Sequence, residues 1–221
     1  MSQLKFFENS DTKNPKYLVI FLHGYGSNGE NLLNLSYEFK QVLPDAHFIS
    51  PNACEPWEGG FPDAYQWFSL YGNSQERKSL SQIADNIKKS NLLLKNFIDT
   101  QLERFKLPPE KLLLVGFSQG AMMSIYQGLI MPQKPAGIIS FSGRAILPEM
   151  LGERSISKPE ICLIHGEADS VLPYDHFIEA KKILTAQNIT HEAHSFPNLD
   201  HTIDIHGVRV AQSFIKKVLS A

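Results

Sequence analysis

The sequence predicts an α/β fold, a mostly parallel central sheet with helices on both faces. Three observations predict it. Several short apolar runs do not alternate with polar residues, so each reads as a strand buried on both sides. Between them lie longer stretches whose apolar residues recur every three or four positions, as in helices that pack one face on a core. The length, 221 residues, suits one such domain over 1–221 and leaves little room for a second.

Taken along the chain, the first buried strand is Tyr17–Leu22, followed by a helix over residues 30–42 and a weaker strand over 46–50. Residues 51–78 carry Pro, Gly and aromatics without periodicity, and a loop that long in a compact domain is usually functional or mobile. The clearest helix is Leu80–Phe105, with Leu80, Ile83, Ala84, Ile87, Leu94, Ile98, Leu102 and Phe105 on one face. Ser79 and Gln82 form a capping box at its start, and Pro108-Pro109 stop it. Strands over 112–115, 138–141 and 161–164 follow, with a helix over Gln119–Ile130 after the first of them. A helix over 174–187 and a weaker strand His191–Phe196 come next. The last helix, over 202–219, rests on Ile205, Val208, Ala211, Ile215, Val218 and Leu219. No internal repeat interrupts this alternation.

Composition narrows the function. With 43% hydrophobic and 20% charged residues the chain reads as an ordinary globular protein. A formal charge of −2 and a pI near 6.4 give no basic footprint, so no nucleic-acid partner is expected. No polybasic run would hold the chain on an anionic membrane, and no segment approaches the roughly 20 apolar residues of a span. Residues 1–14 lack the apolar core of a signal peptide. The two cysteines are Cys54 and Cys162, the latter inside an apolar run where a buried free thiol is expected. A cytoplasmic location is the expectation.

The chemistry begins at Gly116-Phe117-Ser118-Gln119-Gly120, which joins a buried strand to a helix. In that context Gly-x-Ser-x-Gly is a nucleophile elbow: the serine takes a strained conformation on a sharp turn, so the residues two positions away must be small. The following helix points its positive end at charge developing on a substrate oxygen. The first strand ends in His23-Gly24-Tyr25-Gly26-Ser27-Asn28-Gly29, a glycine-rich loop. It lets the N–H of Tyr25 pair with that of Gln119 as an oxyanion hole. A phosphate-binding loop would need Lys-Ser/Thr after the glycines or a Gly-x-Gly-x-x-Gly spacing, and neither is present. His23 reads as a hydrogen-bonded scaffold residue of this loop.

In this arrangement an acid and then a histidine follow the serine. Asp169 lies in the loop past the 161–164 strand and is the favoured acid; Glu167 and Asp175 are its rivals. Among eight histidines, His201 sits in a loop past the last strand and is the favoured base. His191 and His194 fall in the strand and His206 in the final helix, and Asp200 reads as a helix-capping or solvated group. No metal-ligand spacing such as His-Glu-x-x-His occurs, so neither a metal nor an organic cofactor is expected.

These motifs, with Phe21-Leu22-His23-Gly24-Tyr25-Gly26, Ser140-Phe141-Ser142-Gly143 and His165-Gly166-Glu167-Ala168-Asp169, make the chain similar to the phospholipase/carboxylesterase family, which includes acyl-protein thioesterases. The resemblance spans about residues 17–219. It implies an α/β-hydrolase fold without a large cap domain, a triad of Ser118, Asp169 and His201, and oxyanion amides on Tyr25 and Gln119. Three departures stand out: Trp67-Phe68-Ser69 where the family often has Trp-Phe/Tyr-Asp, Asp200-His201 where Gly-His is usual, and Ala121 in place of a third glycine.

The expected activity is hydrolysis of carboxylic esters or acyl thioesters through an acyl-enzyme. The expected substrate is a small-molecule or lipid acyl compound, or an acylated protein. A lysophospholipase and a catalytically silent ligand-binding protein are the alternatives. For the acyl group the reading places an apolar wall at Trp67, Phe68, Ile146, Leu147, Met150 and Leu151, which should reject charged acyl groups.

Overall fold

The computed structural model describes residues 4–72, 76–154 and 157–219, without the side chain of Leu151. Seven strands form one sheet in the order β1-β3-β2-β6-β7-β8-β9. They are β1 (Phe6–Asn9), β2 (Tyr17–Leu22), β3 (Ala46–Pro51), β6 (Leu112–Phe117), β7 (Gly137–Phe141), β8 (Glu160–Gly166) and β9 (His191–Phe196). A separate two-stranded ribbon joins β4 (Glu55–Pro56) to β5 (Tyr65–Gln66) inside the long irregular segment. All pairings in the large sheet are parallel except that of β1 with β3.

The continuous apolar strands have the cause expected of them. On β2, Leu18, Ile20 and Leu22 face one core and Val19 and Phe21 face the other, and all five are fully buried. The first core is closed by α3 (Leu80–Phe105), α4 (Gln119–Ile130) and α5 (Asp175–Ala186), through residues such as Ile87, Met123 and Phe177. The second is closed by α2 (Ser36–Lys40) and α6 (Ile205–Leu219), through Phe39, Val208 and Phe214, with Leu32 and Leu33 of α1 (Gly29–Leu33) packed against it. At the start of α3 the Ser79 and Gln82 side chains cap one another's backbone N–H groups, as their spacing predicts.

Three details differ from the sequence reading. The edge strand β1 was not anticipated: it has four residues with no fully buried position, too little pattern to show. The helix expected over 30–42 is two short helices. The break between them sets Ser36 against β1, where Asn9 Nδ2 donates to Ser36 Oγ at 2.7 Å. The last helix starts at Ile205 instead of 202, because Asp204 Oδ1 accepts from the Gly207 N–H at 2.8 Å and caps it there.

The chain runs from β2 outward to β3 and then returns to β6 on the other side of β2. Crevices form at such reversals, outside the carboxyl ends of the strands. The loops after β2, β6, β8 and β9 carry Tyr25, Ser118, Asp169 and His201 to that end.

Candidate active site

Ser118 connects β6 to α4 with φ 54° and ψ −117°, a conformation that side chains rarely adopt. Crowding at the elbow explains its glycines. A Cβ on Gly120 would lie 1.9 Å from the Leu22 carbonyl oxygen, and one on Gly116 would lie 2.4 Å from that of Gly120. The Ser118 N–H donates to the Phe141 carbonyl at 2.9 Å, which ties the turn to β7.

Ser118, His201 and Asp169 form one hydrogen-bonded line. His201 Nε2 lies 3.0 Å from Ser118 Oγ, and His201 Nδ1 lies 2.8 Å from Asp169 Oδ2. The other oxygen, Asp169 Oδ1, accepts from the N–H groups of Val171 (2.9 Å) and Leu172 (2.7 Å). The Asp169 carboxylate is fully buried, so these bonds replace the water it has lost. The His201 ring packs on Phe117 with centroids 4.9 Å apart.

The rival groups are engaged elsewhere. Glu167 accepts from Ser195 Oγ at 2.7 Å, and His194 lies 3.4 Å from Glu192. Asp175 starts α5. Asp200 does not cap a helix: its Oδ1 accepts from the Ser170 N–H, the Ser170 hydroxyl and the His201 N–H, all at 2.8 Å. It therefore pins the loop of the acid to the loop of the histidine, and those backbone bonds hold its carboxyl below the usual range.

His165, quoted above only as part of a motif, also supports the acid. Its Nε2 donates to the Leu172 carbonyl at 2.9 Å and lies 3.3 Å from Asp169 Oδ2. Burial lowers its pKa, so the ring stays neutral and Nε2 keeps the shared hydrogen.

Tyr25 and Gln119 line the same cleft as Ser118 and His201, about 440 Å³ in volume. Among the described residues neither backbone amide has an acceptor within the chain. The loop of Tyr25 is braced from below. His23 Nδ1 donates to the Gly24 carbonyl at 2.7 Å and His23 Nε2 accepts from the Ala53 N–H at 2.9 Å, so the buried ring is neutral, its pKa lowered to about 4 by burial. The Tyr25 hydroxyl donates to Glu58 Oε1 at 2.5 Å. Glu58 also accepts from the Ser69 hydroxyl and the Leu70 N–H, so a carboxylate meets Ser69 although the position itself carries no acid.

Gln119 has a second task that its position in the motif does not show. Its side chain accepts from the Trp67 N–H at 2.8 Å and donates to the Phe68 carbonyl at 2.7 Å. Trp67 is fully buried, with its indole N–H donating to the His23 carbonyl at 2.9 Å. Trp67 thus supports the glycine loop instead of forming an acyl wall, which corrects the sequence reading. Its neighbour Phe68 and Ile146 do line a cleft, beside the one that holds Ser118. Leu147 is 2% exposed and packs in the core; the Leu151 side chain lies outside the described residues.

Among the described residues one group has metal-ligand geometry, Cys162, Glu192 and His194 on β8 and β9. Burial pushes the Cys162 thiol up, and Glu192 is already shared by His194 and Lys217, so the group has little capacity for a cation. No helix among the described residues is long and apolar enough to cross a membrane.

Residues 6–219 match the family model described as Phospholipase/Carboxylesterase. Acyl-protein thioesterase 1 of Debaryomyces hansenii is 26% identical over 94% of this chain and 93% of its own. Esterase YpfH of Escherichia coli is also 26% identical, over 96% and 87%. The crystal structure of esterase PE8 superposes with a TM-score of 0.90 at 33% identity, covering 99% of this chain and all of that one.

Proposed function

The chain belongs to the phospholipase/carboxylesterase family of carboxylic ester hydrolases, and within that family we propose that it cleaves esters or acyl thioesters through a covalent acyl-enzyme on Ser118. The observation that carries this reading is the unbroken line from Ser118 Oγ through His201 to buried Asp169, at 3.0 and 2.8 Å.

Asp169 accepts the Nδ1 hydrogen of His201, which leaves Nε2 with its lone pair toward the serine hydroxyl. As Ser118 Oγ attacks the carbonyl carbon, His201 takes the hydroxyl proton. The negative charge that develops on the carbonyl oxygen is met by the N–H groups of Tyr25 and Gln119 and by the positive end of α4. His201 then passes the proton to the departing alcohol or thiol. Water, activated by the same ring, attacks the acyl-enzyme and releases the acid. The scheme calls for no cofactor.

Small-molecule and lipid acyl compounds fit this chemistry, as do acylated proteins, the class named for the thioesterase relatives. A fluorophosphonate probe tests the reading. The chain should label at one site, and Ser118→Ala should lose both the label and ester turnover. Retained turnover in that variant overturns the proposal.

A further inference from the structure

A second cleft, about 420 Å³, adjoins the one that holds Ser118; Leu70, Arg77, Met122 and Leu172 line both. Its inner surface is apolar, with Phe68, Ile83 and Ile146. Beside the neutral Ser79 and Gln82, its lining carries basic side chains. Arg77, Lys78, Arg144 and His176 line it, and among the described lining residues there is no carboxylate. The chain has 23 acidic side chains against 21 lysines and arginines, so composition alone does not favour such a segregation.

Two of these groups already have partners. Lys78 Nζ donates to Ser69 Oγ at 2.9 Å, and His176 Nδ1 lies 3.6 Å from Glu179. The arginines differ. Arg104 forms an ion pair with Glu8 at 2.7 Å, whereas among the described residues Arg77 and Arg144 form none. Arg144 is half-buried, and its Nε is sealed from solvent with no acceptor. Buried donors in folded proteins are nearly always satisfied, so the orphaned Nε leaves the Arg144 guanidinium short of acceptors on the cleft wall, where an anion can bond its other nitrogens. A guanidinium presents its N–H groups as a planar fork that fits carboxylate and phosphate oxygens alike.

We propose that this cleft is an anion-receiving subsite, in which Arg77 and Arg144 hold a carboxylate or phosphate of an ester whose scissile carbonyl lies at Ser118. The inference deepens the ester-hydrolase reading and rests on it. It also reverses the expectation of a groove that rejects charged acyl groups. The apolar inner surface accepts a short aliphatic spacer, and the arginines accept its charged end.

Three substrate pairs locate the anion. Umbelliferyl hydrogen adipate against umbelliferyl hexanoate places a carboxylate on the acyl side. Acetylated 4-hydroxybenzoate against its methyl ester places one on the alcohol side. Acetyl glycerol phosphate against acetyl glycerol substitutes a phosphate. In at least one pair kcat/KM for the anionic member should exceed that of the neutral one by about tenfold, a preference that falls with added salt. Arg144→Gln and, at the more exposed position, Arg77→Gln should each lower that ratio several-fold.

A wild-type enzyme that hydrolyses the neutral esters with ratios at or below one in every pair overturns the subsite and leaves the hydrolase reading intact. So does a preference that survives both substitutions. If no ester is turned over, the hydrolase reading fails instead. Calorimetry then decides the subsite: monomethyl adipate should bind the wild type more tightly than dimethyl adipate and lose that advantage in Arg144→Gln, and equal binding overturns it.

Discussion

Ser118 holds a backbone conformation that costs about 1–3 kcal/mol for a residue with a side chain. Glycine adopts it freely, so the usual order of stability should invert here. Ser118→Gly is expected to melt above Ser118→Ala in a thermal scan, although both should lose ester turnover by a factor on the order of 10⁶. Equal melting temperatures would mean that the elbow is not strained. The acid can be tested in the same assay. Asp169→Asn should lower kcat by roughly 10⁴, because an amide no longer dictates which ring nitrogen of His201 carries the hydrogen. Glu167→Gln should cost far less, since Glu167 is bound to Ser195.

Ser118 and Asp169 were legible as candidates because each follows a strand that its apolar run betrays, and His201 because it follows the weaker strand His191–Phe196. His165 and the side chain of Gln119 were not, because their partners, Leu172, Trp67 and Phe68, come from loops whose paths no periodicity encodes.

At the scale of elements, the loops that carry Asp169 and His201 are held by contacts that join one to the other. Asp200 ties Ser170, next to Asp169, to the backbone of His201. Asp200→Ala removes these bonds and leaves the loops joined by the Ala168 N–H to Leu199 carbonyl bond and by Asp169 to His201. A displacement of the imidazole by about 1 Å can cost up to about 10² in rate, so kcat should fall by about 10- to 100-fold with KM little changed. Steady-state kinetics against a neutral ester checks this, and an unchanged kcat would show that Phe117 and Asp169 suffice to orient the ring.

The same kind of contact explains where the sequence reading stopped. The 26 residues of α3 carry a capping box and a long apolar stripe, and both of its ends were foreseen. The break between α1 and α2 depends on Ser36 meeting Asn9 of β1, 27 positions away, and could not be foreseen without β1.

On the scale of the whole molecule, burial on both faces was legible from the apolar runs, whereas strand order was not, because every inner strand presents similar residues to both cores. The sheet also sets the response to acid. His23 is buried beneath the glycine loop with its pKa lowered to about 4, against about 6.5 in an unfolded chain. The unfolded chain therefore takes up the proton first as pH falls. Stability is full above about pH 6.5 and declines toward pH 4, by roughly 3 kcal/mol for this group. His165 and His47, both lowered mainly by burial, act in the same direction. The carboxyls of Glu8 and Asp200, held low by hydrogen bonds, add to the loss only as pH falls below their unfolded values near 4. Between pH 6.5 and 5 the slope thus belongs mainly to the buried histidines. Urea midpoints for the wild type should fall steadily across that window. His23→Gln, which can still donate toward Gly24 and accept from Ala53, should be less stable at pH 7 but show a shallower slope. A slope equal to that of the wild type would mean that His23 takes its proton in the folded chain as readily as in the unfolded one.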